Sequence, residues 1–555
     1  MMAQANDDYF NIAQTLTAAA ADDPGRLAVI ARHLPDSQGR TTLTYAQLAE
    51  DSSKLAGGLL ASGLEPGDRV VVMVPMGLDF FITVFALFKA RLAPVMVDPG
   101  MGLKRMLLCL AEGRPRGVIG VPLAHLACVF WPKYFSSVKK RVVLGRFPAF
   151  LGLKKFSRLL TGYPALPEQR TLAQETAAIL FTSGATGPAK GAVYTHAMFR
   201  AQVESIGLNF GFQRGGVDLA TFPLFALFAP ALGLTSVIPN MNPIKPGQAD
   251  PRKLLQSLTS EKCDSLFGSP ALLTRLADYG QERELVLKGL RLIITAGAPA
   301  QPTLVARVGA LLEPGATLVT PYGATEGMPL TTVTNEEIAG ARGMTEQGFG
   351  MCVGQALPGI RLAILPITDQ PMVSFKDSQI LPVGEIGEIT ATGPVVCQEY
   401  FERPKETSLT LVTGPDGTTW RRMGDLGWQD AQGRLWFCGR KSQRVVTEHG
   451  SLMTVCCESI FNNHPRVRRS ALVGVGPGGR QKPVMVIEPA PGLKRREWPG
   501  LIEELKKLGQ ANPRTRTIET FLRRDSFPMD IRHNAKIGRE KLAVWATKIV
   551  EGERS

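Results

Sequence analysis

Residues 181–191 read Phe-Thr-Ser-Gly-Ala-Thr-Gly-Pro-Ala-Lys-Gly and follow directly on the apolar run 177–181. Glycines let backbone N–H groups close around phosphate oxygens, hydroxyls add donors, and Lys190 supplies a point charge. The segment is therefore a candidate phosphate cradle. It is not the nucleotide-hydrolase loop, which needs Ser or Thr after its lysine, because Gly191 follows Lys190. A flexible turn between two strands would have a similar composition.

Three distant segments carry further candidates. Tyr322-Gly323-Ala324-Thr325-Glu326 follows the strand-like Thr317-Leu318-Val319. Met423-Gly424-Asp425-Leu426-Gly427 sets a carboxylate between glycines, and Gly439-Arg440-Lys441-Ser442 follows the strand-like 434–438. Near the end stands Arg532-His533-Asn534-Ala535-Lys536-Ile537. Each has an ordinary alternative. Glu326 suits a hard cation or a helix N-terminal charge. Asp425 fits a turn, and Lys536 fits a solvated basic tail.

In this order and at these separations, the segments resemble the adenylate-forming superfamily of acyl-CoA synthetases, nonribosomal peptide adenylation domains and luciferases. The resemblance runs over about residues 23–542. It implies an α/β fold: a large N-terminal AMP-binding domain of several subdomains with mostly parallel sheets (1–439), and a small mobile α+β lid (440–555). The hinge would lie at about 440–444, with Ser442 at its centre. The implied cofactors are ATP and Mg2+. Thr182, Ser183, Gly184, Thr186, Gly187 and Lys190 would cradle the β- and γ-phosphates. Tyr322, Gly297, Ala298 and Pro299 would frame the adenine, with Gly323, Ala324 and Thr325 beside it. Asp425 would accept the ribose hydroxyls, Arg440 would lie near ribose and phosphate, and Glu326 would bind magnesium. Lys536 matches the catalytic lysine that bridges carboxylate and α-phosphate.

The fate of an acyl-adenylate is read from departures. Phe222-Pro223-Leu224-Phe225-Ala226 holds alanine where acyl-CoA synthetases commonly carry histidine. Thr447-Glu448-His449-Gly450-Ser451-Leu452 replaces their usual glycine-rich strand along the CoA tunnel. The chain resembles the branch that closes olefin β-lactones in bacterial long-chain hydrocarbon synthesis. That branch implies a long-chain 2-alkyl-3-hydroxyalkanoic acid as substrate, whose hydroxyl displaces AMP without CoA. It also implies a β-lactone decarboxylase as partner, within a multienzyme assembly that includes upstream reductase and condensing enzymes. His533 could assist deprotonation or simply be a surface histidine. A long-chain fatty acyl-CoA synthetase, or a ligase onto a carrier protein, is the alternative reading. A silent nucleotide-binding scaffold and a peripheral membrane or lipid-transfer protein are the readings from other classes.

The elements that must position these residues are those of parallel sheet units. Strands are expected at 69–74, 93–98 and 117–120, and an apolar helix at 79–90. Thr44 is placed to cap a helix. Residues 474–479 fit a dinucleotide fingerprint on paper, yet they lead into the strand-like 482–487, so a hairpin turn is expected there. Residues 219–239 carry no charge, but Pro223, Pro230 and Pro239 argue for a pocket wall and buried helix over a membrane span. Residues 121–165 mix aromatics with lysines and arginines, a composition for a membrane surface, a tunnel cover or a packed excursion.

A chain of 555 residues exceeds one core, so at least two domains are expected. Hydrophobic content of 44% and mean hydropathy of +0.03 indicate a globular protein. The +14 net charge suits ATP, fatty carboxylates, an acidic partner or an anionic membrane. Its dispersal argues against nucleic acid. Eight cysteines without zinc spacing, and a start without a signal peptide, give a cytoplasmic expectation with membrane association left open.

Overall fold

The computed structural model describes residues 8–145, 153–182, 189–529 and 537–552. Two sheets form the bulk of the α/β molecule. The first runs, in spatial order, Lys154–Lys155, Lys140–Val143, Gly117–Gly120, Arg69–Met73, Ala93–Val97, Thr176–Thr182 and Lys190–Thr195. All pairs are parallel except the last, where Thr176–Thr182 and Lys190–Thr195 run antiparallel. Strands of such a sheet are covered on both faces, which is why Val70, Val71, Val95, Val118, Ile119 and Ile179 are all buried. The helix Leu78–Lys89 is apolar except for Asp79, Thr83 and the terminal Lys89, as suits a helix whose residues 78–88 are all buried. It packs against Tyr45–Ala61, whose start is fixed by a capping box between Thr44 and Gln47.

The second sheet starts at an antiparallel edge, Thr42–Thr44 with Leu27–Ile30, and is then parallel through Thr235–Val237, Val217–Ala220, Ser265–Phe267, Leu292–Ile294 and Thr317–Ala324. Beyond Thr317–Ala324 it turns antiparallel, through Gly327–Thr334, Met351–Ala356, Arg434–Arg440 and Thr419–Gln429. The change of direction opens a crevice at the carboxyl ends of the parallel strands, where ligands of open α/β sheets bind. Gly354 marks a bulge here. Its φ is +84° and a Cβ would lie 1.7 Å from the Thr332 carbonyl oxygen, so no other residue fits.

Residues 219–239 fold as the end of a strand, two helical turns, Pro223–Ala226 and Phe228–Ala231, and the strand Thr235–Val237. Among the described residues no helix is long and apolar enough to cross a membrane. Residues 121–165 form the helix Pro122–Phe130, a 3-10 turn Pro132–Phe135, two strands and the helix Phe156–Thr161; Phe147 and Phe150 lie outside the described residues. Phe135 and Phe156 are core residues. The glycine-rich 474–479 joins the antiparallel strands Val467–Val475 and Lys482–Pro489, so it is a hairpin turn.

The last hundred residues build a three-stranded sheet with helices Thr454–Asn462, Trp498–Gln510 and Arg539–Val550. This unit is tied to the C-terminal end of helix Asn335–Glu346 by side-chain donors. Asn463 Nδ2 donates to the Glu346 carbonyl (3.3 Å), Asn512 Nδ2 to Gln347 (3.0 Å) and Arg514 Nε to Gly348 (2.8 Å). Carbonyls at a helix end lack intrahelical partners and accept such donors readily.

Candidate active site

A cavity of about 1650 Å³ occupies the crevice. It exceeds the ~300–1,000 Å³ of an ordinary small-molecule pocket. The strand Thr317–Ala324 delivers the first group of residues. At Gly323 (φ +154°) a Cβ would meet the Gly327 carbonyl oxygen at 2.3 Å, so the chain turns sharply at Thr325-Glu326 and returns antiparallel. The Thr325 carbonyl accepts the Tyr194 hydroxyl, and the Glu326 carbonyl accepts the Cys397 N–H at 2.8 Å. Glu326 Oε1 accepts the Tyr400 hydroxyl at 2.7 Å. Tyr400 is buried, and its ring has Lys190 Nζ at 5.0 Å and the Arg421 guanidinium at 4.7 Å. Burial, then the neighbouring Glu326 charge, raises the Tyr400 phenol pKa far above its ordinary value, so it stays a donor.

A second group comes from the antiparallel half. Asp425 stands opposite Arg440 in the strand register. Its buried carboxylate accepts the Tyr322 hydroxyl at Oδ2 (2.8 Å) and pairs with Arg440 through Oδ1 (3.0 Å). Desolvation, then the Asp425 charge, pushes the Tyr322 phenol pKa up, while Asp425 raises that of the Arg440 guanidinium. The Tyr322 phenol and the Arg440 guanidinium therefore keep their protons across the neutral range. The third group, Gly297-Ala298-Pro299, caps the carboxyl end of strand Leu292–Ile294 and lines the same cavity.

The cavity continues into an apolar extension walled by Phe199, Val203, Ile206, Phe222, Phe225 and Phe228. Phe225 stacks on Phe267 with centroids 4.2 Å apart. The cavity is thus lined in one part by polar side chains and backbone and in another by aromatic and aliphatic side chains.

A family model described as AMP-binding enzyme matches residues 16–401. The chain belongs to the AMP-binding enzyme family. Two proteins named olefin beta-lactone synthetase are similar to it along their whole length. The one from Xanthomonas campestris pv. campestris is 44% identical, covering 97% of this chain and 98% of its own. The one from Stenotrophomonas maltophilia is 43% identical, covering 98% and 99%. A feruloyl-CoA synthase from Amycolatopsis sp is 26% identical over 82% of this chain and 85% of its own. Among solved structures, the amide bond synthetase McbA from Marinactinospora thermotolerans shares the fold, with a TM-score of 0.78 at 21% identity over 97% of this chain and 100% of that one.

For an AMP-binding enzyme, the positions of the sequence candidates are informative. Gly297, Ala298, Pro299, Tyr322, Gly323, Ala324, Thr325, Glu326, Asp425 and Arg440 all line the one cavity. Thr182 ends its strand in register with Lys190 at the start of the next. Ser183, Gly184, Thr186, Gly187 and Lys536 lie outside the described residues, as does His533. Met529 and Ile537, on either side of the segment holding Lys536, pair with one another and line the cavity.

The residues that sequence reasoning missed are Tyr194, Tyr400 and Arg421. Tyr400 is 74 positions from the carboxylate it holds and belongs to no glycine-rich or charged motif. Pairing of Ala192, in the strand Lys190–Thr195, with Tyr400 and of Gly327 with Val396 brings it to the site.

Proposed function

We propose that this chain adenylates a long-chain 2-alkyl-3-hydroxyalkanoic acid with ATP and closes the product to a β-lactone, releasing pyrophosphate and AMP. The observation that carries this reading is the 44% and 43% identity to two olefin beta-lactone synthetases over nearly the whole chain, against 26% to a feruloyl-CoA synthase. Ala226, standing where acyl-CoA synthetases commonly have histidine, supports it and disfavours CoA ligation.

In the first step a carboxylate oxygen attacks the α-phosphorus and the bond to pyrophosphate breaks. In the second, the substrate's 3-hydroxyl oxygen attacks the activated carbonyl, the ring C–O bond forms, AMP leaves and the hydroxyl proton is lost. The nucleophile is already tethered, so its effective concentration is high and no CoA is needed.

The residues fit the two cosubstrates. The buried, pre-oriented Asp425, held by Tyr322 and Arg440, would take the ribose hydroxyls, and 297–299 with Tyr322 would frame the adenine. Thr182, Ser183, Gly184, Thr186, Gly187 and Lys190 would cradle the outer phosphates, and Lys536 would bridge carboxylate and α-phosphate. Among the described residues no three His, Cys, Asp or Glu side chains gather at one point. Magnesium would therefore sit on Glu326 together with phosphate oxygens and water, neutralising phosphate charge. Tyr400 would fix the Glu326 oxygens for it. Residues 1–439 would form the AMP-binding domain and 440–555 the lid, with a hinge at about 440–444. A decarboxylase would consume the lactone, in a cytoplasmic assembly with upstream reductase and condensing enzymes.

The test uses purified protein, ATP, Mg2+ and a synthetic 2-alkyl-3-hydroxy acid without CoA. AMP release with β-lactone ring protons in the NMR of the organic extract is expected. AMP release that waits for CoA, with a thioester product, overturns the reading. Lys536→Ala is expected to abolish AMP release at an unchanged melting temperature; full release by that variant removes Lys536 from the mechanism.

A further inference from the structure

We propose that the face formed by helices Leu103–Glu112 and Pro122–Phe130 docks on an anionic lipid bilayer. On Pro122–Phe130, the residues Ala124, His125 and Cys128 are buried against the domain. The opposite face carries Leu123 (75% exposed), Leu126, Val129 and Phe130 (69% exposed), with no polar residue among them. A solvent-facing helix surface is ordinarily charged or polar, and a contiguous apolar patch marks an interaction site. Leu103 and Leu108 add exposed apolar surface on the neighbouring helix, and the two helices share one core cluster through Leu107, Leu110 and Cys128.

The charge around this patch selects its occupant. The net charge forms no long run of like residues, yet it is unevenly distributed: residues 99–167 contain twelve lysines and arginines and one acid, Glu112, so an eighth of the chain carries +11 of the formal +14. Glu112 is itself engaged by Arg403 at 2.7 Å. Lys104, Arg105 and Lys133 are exposed beside the apolar residues. Arg114 and Arg116 are paired with Glu402 and Asp68, which leaves Lys104, Arg105 and Lys133 as the exposed cations flanking the apolar face. Such a face matches a membrane of anionic headgroups, which attracts each nearby cation and accepts the leucines and phenylalanine beneath. A protein interface depletes charge at its core and balances signs at its rim.

The patch also adjoins the cavity. Gly102, Arg105 and Met106 line it, on the same turn and helix that expose Leu103 and Leu108. Resting on the lipid-acid reading above, docking would bring the cavity mouth to the layer where a two-chained acid partitions.

Flotation of the full-length protein on phosphatidylcholine–phosphatidylglycerol vesicles, against phosphatidylcholine alone, tests the proposal. Wild type is expected to float with the mixed vesicles and to be released by salt. Leu123→Ser with Phe130→Ser is expected to lower partitioning about tenfold. Lys104→Glu with Lys133→Glu is expected to abolish the preference for phosphatidylglycerol. AMP release on a short, soluble 2-alkyl-3-hydroxy acid should be unchanged in both variants. Should the serine pair fail that control, the glutamate pair decides. A wild type that stays unbound, floats equally on neutral vesicles or is matched by the glutamate pair overturns the proposal and leaves the face to a protein partner. Flotation without any AMP release overturns the substrate reading and leaves the docking surface standing.

Discussion

Tyr400 joins three charges through one side chain: its hydroxyl holds Glu326, and its ring lies near Lys190 and Arg421. Tyr400→Phe keeps the ring and deletes the hydroxyl. A hydrogen bond to a charged group contributes about 1.5–3 kcal/mol. We predict a fold-neutral loss of about tenfold in AMP release, with a higher Mg2+ requirement, read by pyrophosphate exchange over a magnesium series. Equal magnesium dependence in the two proteins would show that Glu326 is positioned without it. Asp425→Asn weakens the pairing with Arg440 and removes a charged acceptor. The KM for ATP is expected to rise about 10- to 100-fold while the KM for the acid stays put; a rise in both would instead point to a collapsed site. Asp425, Tyr322 and Glu326 were legible because their short glycine-flanked motifs are local. Tyr400 was not, because what recruits it is strand pairing between segments about two hundred residues apart in sequence.

At the scale of elements, the apolar runs revealed three of the seven strands of the first sheet, 69–74, 93–98 and 117–120, and the helix 79–90 to within a residue or two. Burial on both faces leaves a continuous apolar signature that sequence alone can register. Pairing direction leaves none, so the antiparallel half of the second sheet was not foreseeable from it. Asp218 shows the cost of such burial. It sits on the parallel strand Val217–Ala220, with Oδ1 accepting the Ser265 hydroxyl at 2.8 Å and Oδ2 without a partner among the described residues. Desolvation raises its pKa to about 7. The folded carboxyl keeps its proton over a range where the unfolded one, near pH 4, has already lost it. Stability therefore falls as pH rises from about 4 to about 7, and the loss is complete above that. Asp218→Asn is expected to melt higher than wild type at about pH 8, by at least about 1 kcal/mol, and to converge with it at about pH 4. Parallel melting curves across that range would exclude Asp218 as their origin.

On the scale of the whole molecule, the C-terminal unit is held to the body by donors from Asn463, Asn512 and Arg514. Asn463→Ala with Arg514→Ala should loosen that hold without disturbing either core. Limited proteolysis is expected to cut the variant several-fold faster within 440–444, while the main unfolding transition stays in place. Unchanged cleavage would mean that other contacts carry the hold. All three donors land on backbone carbonyls, which are present whatever side chain occupies the position. Glu346 and Gln347 can therefore drift over evolutionary time without releasing the latch. Gly348 cannot, since its φ is +85° and a Cβ would press on Ile460 at 2.8 Å. On the acceptor side the attachment is inherited through chain geometry more than through residue identity, so homologues that keep the three donors can dock the same unit on a dissimilar helix end.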